Sequence, residues 1–474
     1  MLTIKSSQSA KVIINIVTLG GSEVISRGVA FAGMTYIART LGPEGFGIIG
    51  FAFALCGFFA LVVRAGFDDI GAREVSLRPQ DASTIALSSI LIRFGLATLA
   101  LVSVAVISLF IEKPLTIRLV LILSGLSFFP LAFDTSWVYK GLERNRPVGI
   151  ALILGQLMYV GMVFLTVHGY GDIYRVPLAQ FFGEMCASVL LLILIFPHGR
   201  IKFTLYDGWS ILNRSGFLFV ICLLRTLILT FDVVLLGFLL GEREVGLYSA
   251  PYRICYLLYA LAVIIQISYL PGMARALKRG RFHVSELAGR SIELSVVISA
   301  PLIVGGIVLA APILGTIFGP DFIEGACAFK LLIVSMGFIF LEGTIHNILV
   351  VSNYMKIEMW IMIAASVINI SLNFLLIPHY GLVGAATATA IAEGFILVGG
   401  IIAVTRIGFR INLKAVVKPL LAAVIMGICL CGFSLWVEGL WWHLALVLPF
   451  GCAFFIFILL VLKGIPRDVL DCIR

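Results

Sequence analysis

Repeated apolar runs of about 20 residues dominate the sequence and constrain its fold more than any other feature. A helix of that length crosses the hydrocarbon core of a bilayer, which is roughly 30 Å thick. Hydrophobic residues are 61% of the chain and charged residues only 12%, whereas soluble domains are about 25% charged. The runs lack the apolar/polar alternation of a transmembrane β-barrel. The sequence therefore predicts an all-α, polytopic membrane protein.

Polar breaks divide the apolar runs into about fourteen candidate transmembrane helices, numbered here as spans 1 to 14. The predicted spans cover residues 13–37, 45–67, 84–111, 116–138, 148–167, 176–197, 214–239, 245–271, 291–318, 328–351, 359–377, 382–405, 416–437 and 442–463.

The distribution of the 34 lysines and arginines sets the predicted orientation. Most of them fall in loops that share the side of the N-terminus, and such enrichment is typical of cytoplasmic loops. Both termini are therefore predicted to be cytoplasmic. The net charge of +9 is dispersed over many short loops, so it indicates no nucleic-acid partner. The longest cytoplasmic segments lie near 198–213 and 272–290; the second is either a topology-setting loop or an amphipathic helix on the lipid headgroups.

Two pairs of similar segments indicate an internal duplication. Residues 40–52 (TLGPEGFGIIGFA) match 239–251 (LLGEREVGLYSAP) in the placement of a Leu-Gly pair and of a second glycine five positions later. Residues 168–173 (HGYGDI) resemble 378–383 (PHYGLV) in a shared Tyr-Gly pair that precedes a new span. Each glycine alone could merely permit a tight turn, but both pairs lie at predicted outside turns.

These matches predict two lobes of six helices each. They relate span 1 to span 7 and span 5 to span 11, so both lobes enter the membrane in the same sense, as a parallel repeat with a pseudo-twofold axis. The predicted divisions are an N-lobe at 1–200, a C-lobe at 201–410, and two extra spans with a short cytoplasmic tail at 411–474. Such repeats enclose a central site that opens to each side in turn.

Several classes of function lack their expected motifs. The sequence contains no phosphate-binding loop of an ATPase and no potassium-channel filter. The predicted outside loops are too short to carry the catalytic residues of a membrane glycosyltransferase. The histidines show no metal-ligand spacing, and most of the nine cysteines fall in apolar runs. The remaining class is a transporter, with no cofactor and no metal expected.

Glu23 and Arg27 lie inside the first span, four residues apart and therefore on one helix face. A charged side chain at the bilayer centre costs about 2.5–3.5 kcal/mol on insertion scales. The pair therefore indicates a face that looks at water or protein rather than at lipid.

Other spans carry further ionisable residues, which we assign to two groups. Arginine suits phosphate groups because its planar guanidinium donates two parallel hydrogen bonds. The candidate substrate-binding cations are Arg27, Arg64, Arg225 and Arg253. The candidate counter-ions, or carriers of H⁺ or Na⁺, are Glu23, Glu184, Asp232 and Glu393.

Some of these charges have a simpler explanation. Arg64 and Arg93 lie near cytoplasmic ends of spans, where a long side chain can extend to the interface. Asp134 lies close enough in sequence to pair with Lys140 or Arg144.

Three segments carry a resemblance to a known family. Residues 37–55, 133–150 (FDTSWVYKGLERNRPVGI) and 231–254 are similar, in this order along the chain, to segments of bacterial polysaccharide-transporter proteins. These form the lipid-linked oligosaccharide flippase branch of the multidrug/oligosaccharidyl-lipid/polysaccharide exporter superfamily. The resemblance covers most of residues 10–405.

The resemblance implies alternating access in the bacterial inner membrane. Its implied substrate is a polyprenyl-pyrophosphate-linked oligosaccharide, moved from the cytoplasmic to the outer leaflet for surface or exopolysaccharide synthesis, with polymerase or export proteins as candidate partners. A non-enzymatic function is expected. Five aromatic residues are candidates either for stacking on sugars or for anchoring at the interface: Tyr36, Trp137, Tyr139, Tyr248 and Tyr252.

Two alternatives remain open. One is a cation-coupled multidrug exporter of the same superfamily, which would favour a net acidic cavity. The other is a membrane scaffold of a polysaccharide synthase complex with no transport of its own.

Overall fold

The structure is a computed structural model that describes residues 2–195, 204–411, 414–434, 440–462 and 464. Every regular element among these residues is helical, as the sequence predicts. Short 3₁₀ helices at Pro79–Asp81, Tyr170–Asp172 and Pro320–Gly325 join some of the α-helices. In chain order, the α-helices are α1 (Leu2–Arg64), α2 (Phe67–Leu77), α3 (Ala82–Phe110), α4 (Leu115–Gly125), α5 (Phe128–Phe133), α6 (Ser136–Gly141), α7 (Asn145–Thr166), α8 (Arg175–Ile195), α9 (Tyr206–Arg214), α10 (Gly216–Leu239), α11 (Glu242–Leu277), α12 (Arg281–Val308), α13 (Ala310–Ile317), α14 (Ala326–Val351), α15 (Met355–Arg406), α16 (Lys414–Ser434) and α17 (Leu440–Val461).

The described helices account for the predicted set of spans. Eleven stretches are long and apolar enough to cross a membrane. Two of them, Gly20–Leu77 and Met355–Arg406, each contain two predicted spans, because Gly42 and Gly381 interrupt the helix with non-helical backbone angles. The shorter apolar helix Val416–Gly432 supplies one more. The protein is therefore a multi-pass helical membrane protein of about fourteen spans.

Span 4 has more internal breaks than the sequence indicates. The predicted helix at 116–138 is divided into α4, α5 and α6. Pro130 has no N–H to bond the carbonyl of Leu126, so the helix cannot continue regularly through this point. The second break follows Asp134, whose carboxylate accepts hydrogen bonds from the N–H and hydroxyl of Ser136, both at 2.9 Å.

The segments predicted to be cytoplasmic are also more helical than expected. The segment 272–290 is neither a loop nor a separate surface helix, because α11 extends to Leu277 and α12 begins at Arg281. Only a short turn with Gly280 at φ 115° lies between them. The short helices α2 and α9 were not predicted.

One of the two predicted sequence repeats is matched by backbone conformation. Gly42 (φ 68°, ψ −178°) and Gly241 (φ 110°, ψ −177°) both follow the first span of their lobe. Positive φ is inexpensive for glycine, which explains the repeated residue. In the second pair, Gly381 adopts φ 56°, whereas its counterpart Gly171 lies within a 3₁₀ helix. That similarity is confined to the sequence.

A third matching turn was not visible in the sequence. Glu143 and Asn353 have φ values of 57° and 63°, and the interval between them equals that between Tyr170 and Tyr380. After each, the next N–H bonds back five residues, from Arg144 to Tyr139 at 2.9 Å and from Tyr354 to Leu349 at 2.8 Å. The two turns share a geometry although the residues at positive φ differ.

The chain forms two compact units, Met1–Thr226 and Leu227–Arg474, and the division falls within α10. In unit 1, α7 packs against α1 and α8, and α3 packs against α1, α4 and α5. In unit 2, α14 packs against α11, α12 and α15, and the C-terminal helices pack on α12 and α13. The predicted lobe boundary at 200/201 and the predicted tail after residue 464 lie outside the described residues.

Close backbone approach between α7 and α8 depends on two glycines. A Cβ on Gly155 would lie 2.8 Å from the carbonyl oxygen of Gly183, and a Cβ on Gly183 would lie 2.6 Å from the carbonyl oxygen of Gly155. Small residues let membrane helices pack this closely.

Replacement of Gly183 tests this contact. Gly183→Ala forces main-chain atoms apart, so we expect a loss of about 1–3 kcal/mol of stability, measured as a lower melting temperature in detergent. The control is Gly95→Ala in α3, where a Cβ would meet nothing within 4 Å. Alanine there should be neutral or stabilising by up to about 1 kcal/mol. Equal melting temperatures for the two variants would contradict the close contact.

Candidate functional site

The predicted pair in the first span forms an ion pair. Arg27 donates to Oε1 of Glu23 from Nε at 3.0 Å and from Nη2 at 2.8 Å. Both side chains stay partly accessible, at 27% for Arg27 and 44% for Glu23. Each can therefore meet a solute or a water-filled space while its charge is balanced.

Arg64 ends α1 beside an unusual backbone conformation. Its side chain is exposed, and it lies within electrostatic range of Arg93 and Glu184. The next two residues, Ala65 and Gly66, have φ values of 37° and 71°. Left-handed backbone is unfavourable for alanine, so the surrounding packing must hold this break.

Arg93 is the main residue that the sequence analysis misplaced. It does not extend to the interface: it is fully buried at 0% exposure. Its Nη1 donates to the carbonyl oxygen of Asp134 at 3.0 Å and lies 4.0 Å from Oδ1 of Asp68. The predicted pairing of Asp134 with a nearby basic residue is replaced by its bonds to Ser136.

Glu184 lies in α8 and is held by neutral partners. Gln180 donates to its Oε1 at 2.8 Å, and Ser127 also hydrogen-bonds to it. Glu184 belongs to the same unit as Arg64 and Arg93, so unit 1 contains a group of interacting intramembrane charges.

Asp232 is the most enclosed of the predicted acids in unit 2. It is 0% exposed and accepts hydrogen bonds from the hydroxyl of Tyr248, from Thr389 at 3.1 Å and from the N–H of Val233 at 2.8 Å. These donors come from α10, α11 and α15. The carboxyl group therefore connects the consecutive helices α10 and α11 to α15, which is far from them in sequence.

Two buried amides in α15 were missed by the sequence analysis. Asn369 and Asn373 are both 0% exposed, and Asn373 donates to Asn369 at 3.0 Å. The rings of Phe231 and Phe374 lie 6.2 Å apart, so the amides lie near the contact of α15 with α10. Two amides four residues apart within a span were the available signal.

The other three candidates occupy different environments. Glu393 in α15 is fully buried. Arg253 in α11 is partly exposed and interacts electrostatically with Tyr252. Arg225 is partly exposed in α10. Their assigned roles remain predictions.

Three of the aromatic candidates are not available for sugar stacking in this conformation. Trp137 and Tyr248 are 0% exposed and Tyr139 is 4% exposed. The hydroxyl of Tyr139 donates to the carbonyl oxygen of Leu191 at 2.8 Å. The hydroxyl of Tyr248 donates to Asp232, and all three side chains are part of the protein core.

A cluster of ion pairs connects the short helix α9 to the C-terminal end of α2. Arg78 donates to both Glu74 at 3.1 Å and Asp207 at 2.9 Å, and Arg214 donates to Glu74 at 2.5 Å. The hydrogen bond with Asp207 raises the pKa of Arg78 above its ordinary value. These ion pairs hold α9 against the C-terminal end of α2.

The fold and these charges define a class of protein. A multi-pass helical bundle with arginines and carboxyl groups inside its spans is typical of membrane transporters, in which intramembrane ionisable groups mark the path of substrates or ions.

Comparisons with known proteins give the family. Residues 12–277, more than half of the chain, match the sequence profile described as polysaccharide biosynthesis protein. The chain belongs to this family. Residues 218–375 also match the MatE profile, which overlaps the first match.

Curated relatives align over about three quarters of the chain. A protein of Escherichia coli (strain K12) described as an O-antigen transporter is 24% identical over 373 residues, which is 76% of this chain and 88% of the relative. A protein of Haloferax volcanii described as a low-salt glycan biosynthesis flippase is 24% identical over 387 residues, 78% of this chain and 79% of the relative.

Solved structures show the same fold. The lipid II flippase MurJ, in an inward closed conformation, superposes with a TM-score of 0.76 at 16% identity, over 97% of this chain and 100% of that one. An inward-facing multidrug resistance transporter of the MATE family gives a TM-score of 0.60 at 16% identity, over 80% of this chain and 95% of that one.

Removal of the donors to Asp232 tests the site in unit 2. Tyr248→Phe withdraws a hydroxyl from a buried carboxyl group, and a hydrogen bond to such a group contributes about 1.5–3 kcal/mol. We expect a lower melting temperature than for Tyr380→Phe, whose side chain is 65% exposed.

The double variant Tyr248→Phe/Asp232→Asn distinguishes the loss of this hydrogen bond from nonspecific destabilisation. Its loss of stability should be smaller than the sum of the two single losses, because the residues interact directly. Additive losses would show that the hydroxyl does not stabilise the carboxyl group.

Proposed function

We propose that this protein is a flippase that moves polyprenyl-pyrophosphate-linked oligosaccharide from the cytoplasmic to the outer leaflet by alternating access. The observation that carries the proposal is the pair of relatives, from a bacterium and an archaeon, whose descriptions concern transport of O-antigen and flipping in glycan biosynthesis. Both align with more than three quarters of their own length and of this chain. The family membership supports the same conclusion.

The chemistry of the intramembrane arginines suits this substrate. A pyrophosphate group loses its hydration when it enters the bilayer, and replacement donors are needed to offset that cost. Three of the candidate arginines, Arg27, Arg225 and Arg253, are partly exposed within their spans, and Arg64 is exposed at the end of its span. The polyprenyl chain remains among the lipids while the headgroup crosses.

Carboxyl groups balance these cations and offer a means of coupling. The ion pair Glu23–Arg27 leaves the guanidinium partly neutralised, which favours release as well as binding. Asp232, with the hydroxyls of Tyr248 and Thr389 around it, is the candidate site for a coupling H⁺ or Na⁺. Glu184 and Glu393 are further candidates for the same role.

A cation-coupled multidrug exporter is the second candidate function, because residues 218–375 match the MatE profile. Cationic drugs require an acidic cavity, whereas four of the eight assigned residues here are arginines. The flippase function accounts better for these positive charges.

The remaining parts of the proposal concern location and partners. The protein resides in the bacterial inner membrane with both termini in the cytoplasm, and it catalyses no bond-making reaction. Enzymes that polymerise or export the glycan act on its product, since the lipid-linked oligosaccharide reaches the outer leaflet only after flipping.

A leaflet-resolved assay in liposomes tests this function. The purified protein is reconstituted with lipid-linked oligosaccharide, and a membrane-impermeant probe reports the sugar in each leaflet. Arg27→Ala and Arg253→Ala each remove charge-assisted hydrogen bonds worth about 1.5–3 kcal/mol. The initial rate should therefore fall by about 10-fold or more, with insertion and melting temperature preserved.

The matched control is Arg243→Ala, at an exposed ion pair with Glu324, which should transport at the original rate. Transport of cationic drugs without transport of the lipid-linked sugar would favour the multidrug exporter. Unchanged rates for both intramembrane variants would remove the assignment of these arginines.

A further inference from the structure

Arg93 is a buried arginine to which the proposed function assigns no role. It is a full charge at 0% exposure, and its Nε and Nη2 have no hydrogen-bond partner among the described residues. Its Nη1 meets the carbonyl of Asp134, and its guanidinium lies 5.9 Å from the centre of the Phe67 ring. A buried charge of this kind is costly unless it is paired, so its position calls for an explanation.

Each contact of Arg93 falls at a break in a membrane span. Phe67 and Asp68 begin α2, directly after the left-handed residues Ala65 and Gly66 that end span 2. Asp134 lies at the break between α5 and α6 in span 4. One guanidinium group therefore connects the broken inner ends of two spans.

The two helices that follow these breaks are packed tightly together. A Cβ on Gly71 of α2 would lie 2.7 Å from the ring of Trp137 in α6. A Cβ on Gly141 of α6 would lie 2.5 Å from the carbonyl oxygen of Ala72. Because α2 and α6 have no room to slide past each other, a contact that fixes one of them also fixes the other.

The corresponding helix of unit 2 has no such break. After Gly241, α11 runs without a residue of positive φ as far as Leu277. In unit 1 the helix after Gly42 ends at Arg64. The left-handed break after Arg64 thus has no counterpart within α11.

We propose that Arg93 is a positioning residue: it holds the inner ends of spans 2 and 4 in place and so sets the direction in which Arg64 presents its guanidinium to the substrate's pyrophosphate. This inference rests on the proposed function. Arg64 directly precedes the break. A change in the angle between α1 and α2 therefore changes the direction of its side chain. Arg93 acts through Arg64 and does not itself touch the substrate.

A double-mutant cycle tests the inference in the liposome assay. Arg93→Met and Arg64→Ala should each raise the KM for lipid-linked oligosaccharide by about 10-fold, with less than about a twofold change in kcat. The KM of the double variant should be no higher than that of Arg64→Ala, because Arg93 acts on the substrate only through Arg64. Effects that multiply in the double variant would overturn the inference.

A second variant separates positioning from charge balance. Arg93→Met leaves Asp68 beside an apolar side chain, which can impair folding. Arg93→Met/Asp68→Asn removes that isolated charge, so its melting temperature should recover while its KM stays raised. Recovery of the original KM would show that Arg93 only balances Asp68. Arg118→Met, at an arginine that donates to the carbonyl of Lys113, is the matched control.

Hydrogen exchange provides a readout that needs no substrate. In Arg93→Met/Asp68→Asn the amides of 67–77 should exchange at least about 10-fold faster, with those of α7 and α8 unchanged. Unaltered exchange in 67–77 would overturn the inference whatever the transport data show. If exchange is faster but the unaltered protein never moves lipid-linked oligosaccharide, the proposed function is refuted. The structural part of the inference, that Arg93 holds the inner ends of spans 2 and 4 in place, then still stands.

Discussion

The sequestration of ionisable groups away from hydrocarbon is the constraint on which this structure depends. The hydrocarbon supplies no hydrogen-bond partners, so an intramembrane charge must face protein or a water-filled space. Unit 1 meets this demand with the Glu23–Arg27 pair and with Arg93 at the carbonyl of Asp134. Unit 2 meets it at Asp232, which draws hydroxyl groups from two other helices. Arg93 and Asp232 thus also connect helices that are separate in the chain.

Backbone irregularities place these charges as much as the helices do. Left-handed residues at Ala65 and Gly66 end span 2 beside Arg64, and the break after Asp134 supplies a carbonyl oxygen to a buried guanidinium. Tight packing at Gly71 and Gly141 then fixes the segments that follow. Each break leaves main-chain groups without helical partners, and in unit 1 a charged side chain supplies one of the replacements.

Hydropathy predicts the spans because a bilayer imposes one length and one polarity on every crossing helix. The repeated Leu-Gly pair predicts the matched turns at Gly42 and Gly241 because both need positive φ. The environment of Arg93 could not be predicted, since it depends on a left-handed alanine that no local pattern favours. Tyr248 and Thr389 lie 16 and 157 residues from Asp232, so only the fold reveals that they meet. Asn369 and Asn373 carried a readable signal, an amide pair inside a span, that charge-based reasoning passed over.

The central claim is that the intramembrane arginines face water rather than lipid. Spin labels at Arg27→Cys and Arg253→Cys, in protein without its native cysteines and reconstituted in bilayers, measure this directly. Leu99→Cys, at an apolar side chain that is 61% exposed in its span, serves as the lipid-facing reference. We predict that a water-soluble nickel complex relaxes the labels at 27 and 253, and that oxygen preferentially relaxes the label at 99. The same oxygen preference at all three positions would contradict the account.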